Sequence, residues 1–220
     1  MTIPQKLPAE DIPPVPHYIH RRRVASLNWI CGPEKFDVYA RSFHKAAKAL
    51  FEKYKTDTQV MLDTDICPII TLYRQALELY LKGILITGGQ IMRAHSKTFP
   101  EGENEFIFKN HGLCRLLDPV RKTFTEVGWV SNHTGTAGLE TLDKLESYIN
   151  KMEKIDPTSH NFRYPLKKDG KPSVQPNFSV DVFDLATKMD LVLDFLDQAD
   201  CGLSAYYDEL QSQADYGEQD

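Results

Sequence analysis

Residues 69–85 read IITLYRQALELYLKGIL, and the fold turns on how they are read. Ile69, Ile70, Tyr73, Ala76, Leu77, Tyr80, Leu81 and Ile84 recur at steps of three and four, which predicts an amphipathic helix whose broad apolar face belongs in a core. Thr87-Gly88-Gly89 is expected to stop it. Arg74, Glu78 and Lys82 stand at i, i+4 and i+8 on the same helix and so share one stripe beside that face. The alternating signs suit a solvent-exposed ladder. The functional alternative is a groove in which Arg74 and Lys82 meet phosphate while Glu78 positions them.

Helical spacing continues on both sides of this segment. Phe36, Tyr39, Phe43, Ala46, Ala47, Leu50 and Tyr54 mark an earlier helix that opens after Gly32-Pro33. Leu113, Leu116, Leu117 and Val120 mark a third, for which His111 is the expected cap ahead of Gly112. A fourth carries Leu139, Leu142, Leu145, Ile149, Met152 and Ile155 and ends at Asp156-Pro157; a fifth, from about Asp181 to Gly202, carries Val182, Leu185, Met189, Val192 and Leu196. Residues 88–110 read as a loop with a short extended piece at 105–108, and residues 128–138 as a second polar loop. The apolar residues of Phe162-Arg-Tyr-Pro-Leu166 alternate ahead of the turn signal Asp169-Gly170. The fold class expected is therefore all-α: an antiparallel helical bundle of about five helices, with a small β-hairpin or irregular flap near 160–176. A proline-rich arm with a basic patch (1–33) precedes the bundle (34–202), and a short helix and acidic tail (203–220) follow it.

With 220 residues, 41% hydrophobic and 26% charged, the chain has the composition of a globular protein with one sizeable core. Its formal net charge of -5 opposes bulk coating of nucleic acid or anionic membrane. That charge is concentrated: Asp208, Glu209, Asp215, Glu218 and Asp220 occupy the end without a single Lys or Arg, and without them 26 acids balance 26 bases. Cys31, Cys67, Cys114 and Cys201 form no Cys-x-x-Cys pair, which favours reduced thiols over a zinc or redox motif. No leader-like segment and no run of ~18 apolar residues is present, so a cytoplasmic protein is expected, with no membrane partner. His17 and His20 have metal-ligand spacing beside Arg21, Arg22 and Arg23, but lack a third ligand, and neither metal nor other cofactor is expected.

The phosphate-binding loop, the dinucleotide fingerprint, His-Glu-x-x-His and Gly-x-Ser-x-Gly are all missing, which removes support for the common nucleotide hydrolases, dehydrogenases, zinc proteases and esterases. Residues 151–171 hold Lys151, Lys154, Arg163, Lys167, Lys168 and Lys171 against Glu153, Asp156 and Asp169, with Phe162 and Tyr164 interleaved. Cations beside aromatic faces suit single-stranded nucleic acid, because bases stack on rings while ammonium groups neutralise phosphates. The competing reading is a hairpin whose aromatic face caps the bundle and whose lysines keep its tip in water. His160 and Arg163 could in principle take a 2′-hydroxyl proton and hold the phosphate, the requirements of metal-independent RNA cleavage. An acidic tail folding back on this flap would inhibit it.

Two stretches, Tyr73-Arg-Gln-Ala-Leu-Glu-Leu-Tyr-Leu-Lys-Gly-Ile-Leu85 and His111-Gly-Leu-Cys-Arg-Leu-Leu117, resemble the HEPN superfamily of helical domains. Glu78, Leu81 and Lys82 match its Glu-x-x-Leu-Lys-like second helix, and His111, Leu113 and Leu116 its later His-x-Leu-x-x-Leu. The resemblance spans about residues 36–200 and implies a helical bundle, a homodimer, and a role among RNases, toxins and phage-defence or stress components, often beside a nucleotidyltransferase-type partner. Active HEPN RNases carry Arg, four to six residues, then His; no Arg here precedes a His at that spacing. The expectation is thus a divergent, non-catalytic HEPN-like protein that binds RNA, a nucleotide or a protein partner. The alternatives are a metal-independent endoribonuclease using His160 and Arg163, and a structural interaction module. The residues expected to bind are Arg74, Glu78, Lys82, Tyr164, Lys167, Lys168 and Lys171.

Overall fold

The computed structural model describes residues 35–56, 65–129 and 133–217. The proline-rich arm, with His17, His20 and the three arginines, lies outside them. Among the described residues the elements are α1 (Phe36–Thr56), α2 (Ile66–Ala94), α3 (Asn104–Lys109), α4 (Leu113–Glu126), β1 (His133–Thr136), β2 (Leu139–Thr141), α5 (Leu142–Ile155) and α6 (Val182–Gly217). This is the helical bundle with a small non-helical flap that the apolar periods call for.

Helix α2 is its axis. Ile69, Ile70, Tyr73, Leu77, Tyr80, Leu81, Ile84 and Leu85 are each at most 1% exposed, and α1, α4 and α6 all pack against this helix. Each such side chain contributes roughly 1.5–3 kcal/mol by leaving water, so the broad face supplies much of the folding drive. Helix α5 closes the bundle between α4 and α6, burying Leu145, Ile149 and Met152.

Two expected helix ends are not ends. Helix α2 runs on through Gly88-Gly89 to Ala94, because these glycines are notches: a Cβ on Gly88 would lie 2.8 Å from the Thr123 methyl of α4, and one on Gly89 would lie 3.1 Å from the backbone of Gly102. Helix α6 likewise continues through Gly202, where a Cβ would meet the Trp129 ring at 3.0 Å, so the separate short helix beyond 202 is the last part of one 36-residue helix. A glycine costs a helix interior about 1 kcal/mol, which close packing offsets here.

Three local expectations are also corrected. Residues 105–108 belong to α3, where the helical turn buries Ile107 and pairs Glu105 with Lys109 at 2.6 Å. His111 does not cap α4; Glu153 of α5 does, accepting from the Leu113 amide at 2.8 Å. The loop at 128–138 contains β1, and α5 starts three residues later than Leu139, at Leu142. Gly135 and Gly138 take positive φ (72° and 84°) to turn the chain, and Thr141 Oγ1 caps α5 by accepting from the Lys144 amide at 3.1 Å. The flap is irregular, with one isolated antiparallel bridge between Leu166 and Pro172 around a turn at Gly170. No helix among the described residues is long and apolar enough to cross a membrane.

Candidate functional site

The charged stripe of α2 is inside the protein. Arg74, Glu78 and Lys82 are 0%, 3% and 5% exposed, which corrects the solvent-exposed ladder and also takes them away from any ligand arriving from solvent. Glu78 is the hub: one carboxylate oxygen accepts from Arg74 Nη1 at 3.0 Å, and the other from Lys82 Nζ at 2.8 Å. His111 Nδ1 stands 2.8 Å from that second oxygen, its ring otherwise facing solvent. Burial alone would raise the Glu78 pKa, yet Lys82, His111 and Arg74 together hold it below the ordinary carboxylate value. The two stretches that carry the family resemblance therefore touch, thirty-three residues apart in sequence, through Glu78 and His111.

The same network roots the flap. Arg74 donates through Nη2 to the His111 carbonyl and through Nε to the Asp156 carbonyl at 3.2 Å. Asp156 is 1% exposed, and its side chain accepts from the amides of His160 (3.0 Å) and Asn161 (3.1 Å). A helix terminator in sequence thus doubles as the clamp on the first flap turn. Arg163 folds back on that turn, donating to the Ser159 carbonyl at 2.5 Å and to Ser159 Oγ at 2.6 Å. Its guanidinium is committed to Ser159 and has no hydrogen bond to His160 among the described residues.

The outer surface of the flap is basic and aromatic. His160 stacks on Tyr164 with ring centroids 5.9 Å apart and planes 30° from parallel, and Tyr164 is 56% exposed. Lys167, Lys168 and Lys171 are all exposed; Lys171 pairs with Asp169 at 3.4 Å, whereas the ammonium groups of Lys167 and Lys168 meet no acid among the described residues. Leu166 and Phe178 add exposed apolar area beside them. Where the flap returns to the bundle, a cleft of about 210 Å³ lies between α5 and the start of α6. Lys151 and Lys188 both approach the Tyr148 ring there, at 5.7 and 5.6 Å from its centroid.

The structure therefore brings together Tyr164, Lys167, Lys168, Lys171 and His160 on one exposed flap, and buries Arg74, Glu78 and Lys82 beneath its root. Sequence reasoning missed Tyr148 and Lys188, and it named Glu153 and Asp156 without their roles as the cap of α4 and the clamp on the flap turn. Tyr148 and Lys188 carry no local motif and meet only because α5 packs on α6. Among the described residues no three His, Cys, Asp or Glu side chains are grouped to hold a metal ion, and Cys67, Cys114 and Cys201 are free thiols. No family model matches the chain, and no significant match is found among curated proteins or solved structures.

Proposed function

We propose that this chain is a divergent HEPN-like helical protein that binds single-stranded RNA through the flap at 156–181 without cutting it. The observation that carries this reading is the exposed His160–Tyr164 stack beside Lys167 and Lys168, whose ammonium groups have no acidic partner among the described residues. A stacking platform flanked by free cations matches a strand whose bases are splayed and whose phosphates need neutralising. The Arg163 guanidinium, spent on Ser159, is not placed to stabilise charge on a reacting phosphate, which favours binding over cleavage. Homodimerisation and a nucleotidyltransferase-type partner belong to the same reading through the family resemblance.

Fluorescence anisotropy with a labelled oligouridylate at low salt tests it. The wild-type chain binds; Tyr164→Ala weakens binding about fivefold or more, in line with ~1–3 kcal/mol for one stacked base; and the RNA stays intact in EDTA. Absence of binding at low salt overturns the reading. RNA cleavage in EDTA that disappears in His160→Ala would instead establish the endoribonuclease. Binding that ignores salt would point to an apolar protein surface as the true ligand.

A further inference from the structure

A second site lies far from the flap, where the start of α1, the second half of α2 and residues 200–208 of α6 line a groove of about 550 Å³. Eighteen residues of α6 separate its key side chain, Asp200, from Val182, roughly 27 Å along the helix. The volume is that of a small-molecule site.

Three acids of α6, Asp190, Asp194 and Asp197, are answered by neighbouring helices. Asp190 accepts from Tyr73 Oη at 2.9 Å, with His44 Nε2 also 2.9 Å away. Asp197 accepts from Tyr80 Oη at 3.0 Å and from Arg41 Nε at 2.6 Å. Asp200, the most buried of the described acids of the helix, is not answered. It is 6% exposed, it lines the groove, and it has no hydrogen bond or ion pair among the described residues.

A carboxylate drawn this far out of bulk water without a protein donor depends on what enters the groove for a partner. Arg41, the cation that acts on Asp200, is already bridged to Asp37 at 3.2 Å and to Asp197. Space for a partner is present because position 83 of α2 is glycine: a Cβ there would lie 3.5 Å from Asp200 Oδ1 and 3.4 Å from Phe36 Cβ. The walls include Phe36, Ile86 and Tyr207, while Lys35, Asp37, Arg41 and Asp208 supply the remaining charges and α2 contributes the uncharged Thr87 and Gln90.

We infer that this groove binds a small organic ammonium ion, with its charged nitrogen on the Asp200 carboxylate beside Gly83 and its apolar body against Phe36, Ile86 and Tyr207. An organic cation fits better than a metal ion, since among the described residues no three His, Cys, Asp or Glu side chains converge to ligate one, and Phe36, Ile86 and Tyr207 give an apolar body something to pack on. Burial, with Asp37 and Asp197, raises the Asp200 pKa to about 6 against the pull of Arg41, so the carboxylate is ionised and ready for an ammonium partner at neutral pH.

Cys201 is exposed and lines the same groove, so its alkylation reports occupancy. The experiment titrates the full chain with n-hexylamine at neutral pH, mapping iodoacetamide labelling of each cysteine by mass spectrometry. Hexylammonium should protect Cys201 saturably while leaving Cys114 unaffected, and n-hexanol should need a concentration about tenfold higher or more, the worth of a hydrogen bond to a charged group. Asp200→Asn should abolish the preference for the amine. Gly83→Ala should weaken protection while the protein remains folded, because the added methyl only fills space beside Asp200. Unsaturable protection, equal protection by hexanol, equal protection in Asp200→Asn, or displacement of the amine by equimolar magnesium would overturn the inference. None of these outcomes depends on RNA binding by the flap.

Discussion

Asp200 and Glu78 are both buried carboxyls, and their surroundings push them in opposite directions. For Asp200 the folded pKa, about 6, lies above the ordinary 3.8, so its favourable share of stability is complete below 3.8 and is lost as pH rises through 6. The shift corresponds to on the order of 3 kcal/mol at neutral pH. Asp200→Asn should accordingly gain stability on the wild type between pH 4 and 7, read from urea midpoints at each pH; a difference that stays flat contradicts the assignment. Glu78 behaves the other way. Its folded pKa lies below 4.5, so its contribution is complete above 4.5 and is lost as pH falls through the lower folded value. Glu78→Gln leaves Arg74 and Lys82 buried with a neutral partner, a change of about 3–5 kcal/mol when a buried pair is broken. The variant should unfold at lower urea at neutral pH and be less sensitive to acid than the wild type.

At the scale of elements, the glycines of α2 separate two uses of one residue type. Gly88 is a contact point where a Cβ would intrude on the Thr123 side chain; Gly83 borders open groove, where a Cβ makes ordinary contacts. Both would gain about 1 kcal/mol of helix propensity on conversion to alanine. At Gly88 overpacking, typically ~1–3 kcal/mol, outweighs that gain. Thermal melts should therefore show a lower Tm for Gly88→Ala and a higher one for Gly83→Ala, and a rise for both would mean that α2 and α4 do not approach as closely as described. At Gly202 a Cβ would lie 3.0 Å from the Trp129 ring, a tighter fit than at Gly83 and a looser one than at Gly88. This is why the sequence reading ended α2 and α6 too early: glycine as a stop and glycine as a notch look identical until the neighbouring helix is known.

Over the whole molecule, charge is partitioned more finely than a neutral body with an acidic end. Asp190, Asp194 and Asp197 on α6 face His44, Lys48 and Arg41 on α1, so these acids serve a seam between helices. The flap keeps its cations for the outside. Removing Lys167 and Lys168 together as glutamines should lower the slope of log affinity for single-stranded RNA against log salt by about 1.4, at ~0.7 per neutralised phosphate. An unchanged slope would place the RNA elsewhere. Asp208 and Glu209 do not lie against this flap, since Asp208 rides on α6, roughly 39 Å of continuous helix from Val182; Glu218 and Asp220 lie outside the described residues.

The helical class, the central place of residues 69–85 and the irregular flap are legible in the amino-acid order, because they follow from apolar period and turn chemistry, which are local. That order also brought Tyr164 and the flap lysines to notice as neighbours in one short segment. It could not tell that Arg74, Glu78 and Lys82 lie inside, since their stripe borders the apolar face and only the packing of α4, the end of α5 and the flap root decides whether water reaches it. Nor could it single out Asp200 among the acids of α6. Its neighbours on α1 and α2 are more than a hundred residues away in the chain, and the absence of a donor beside it is a property of the space those helices leave between them.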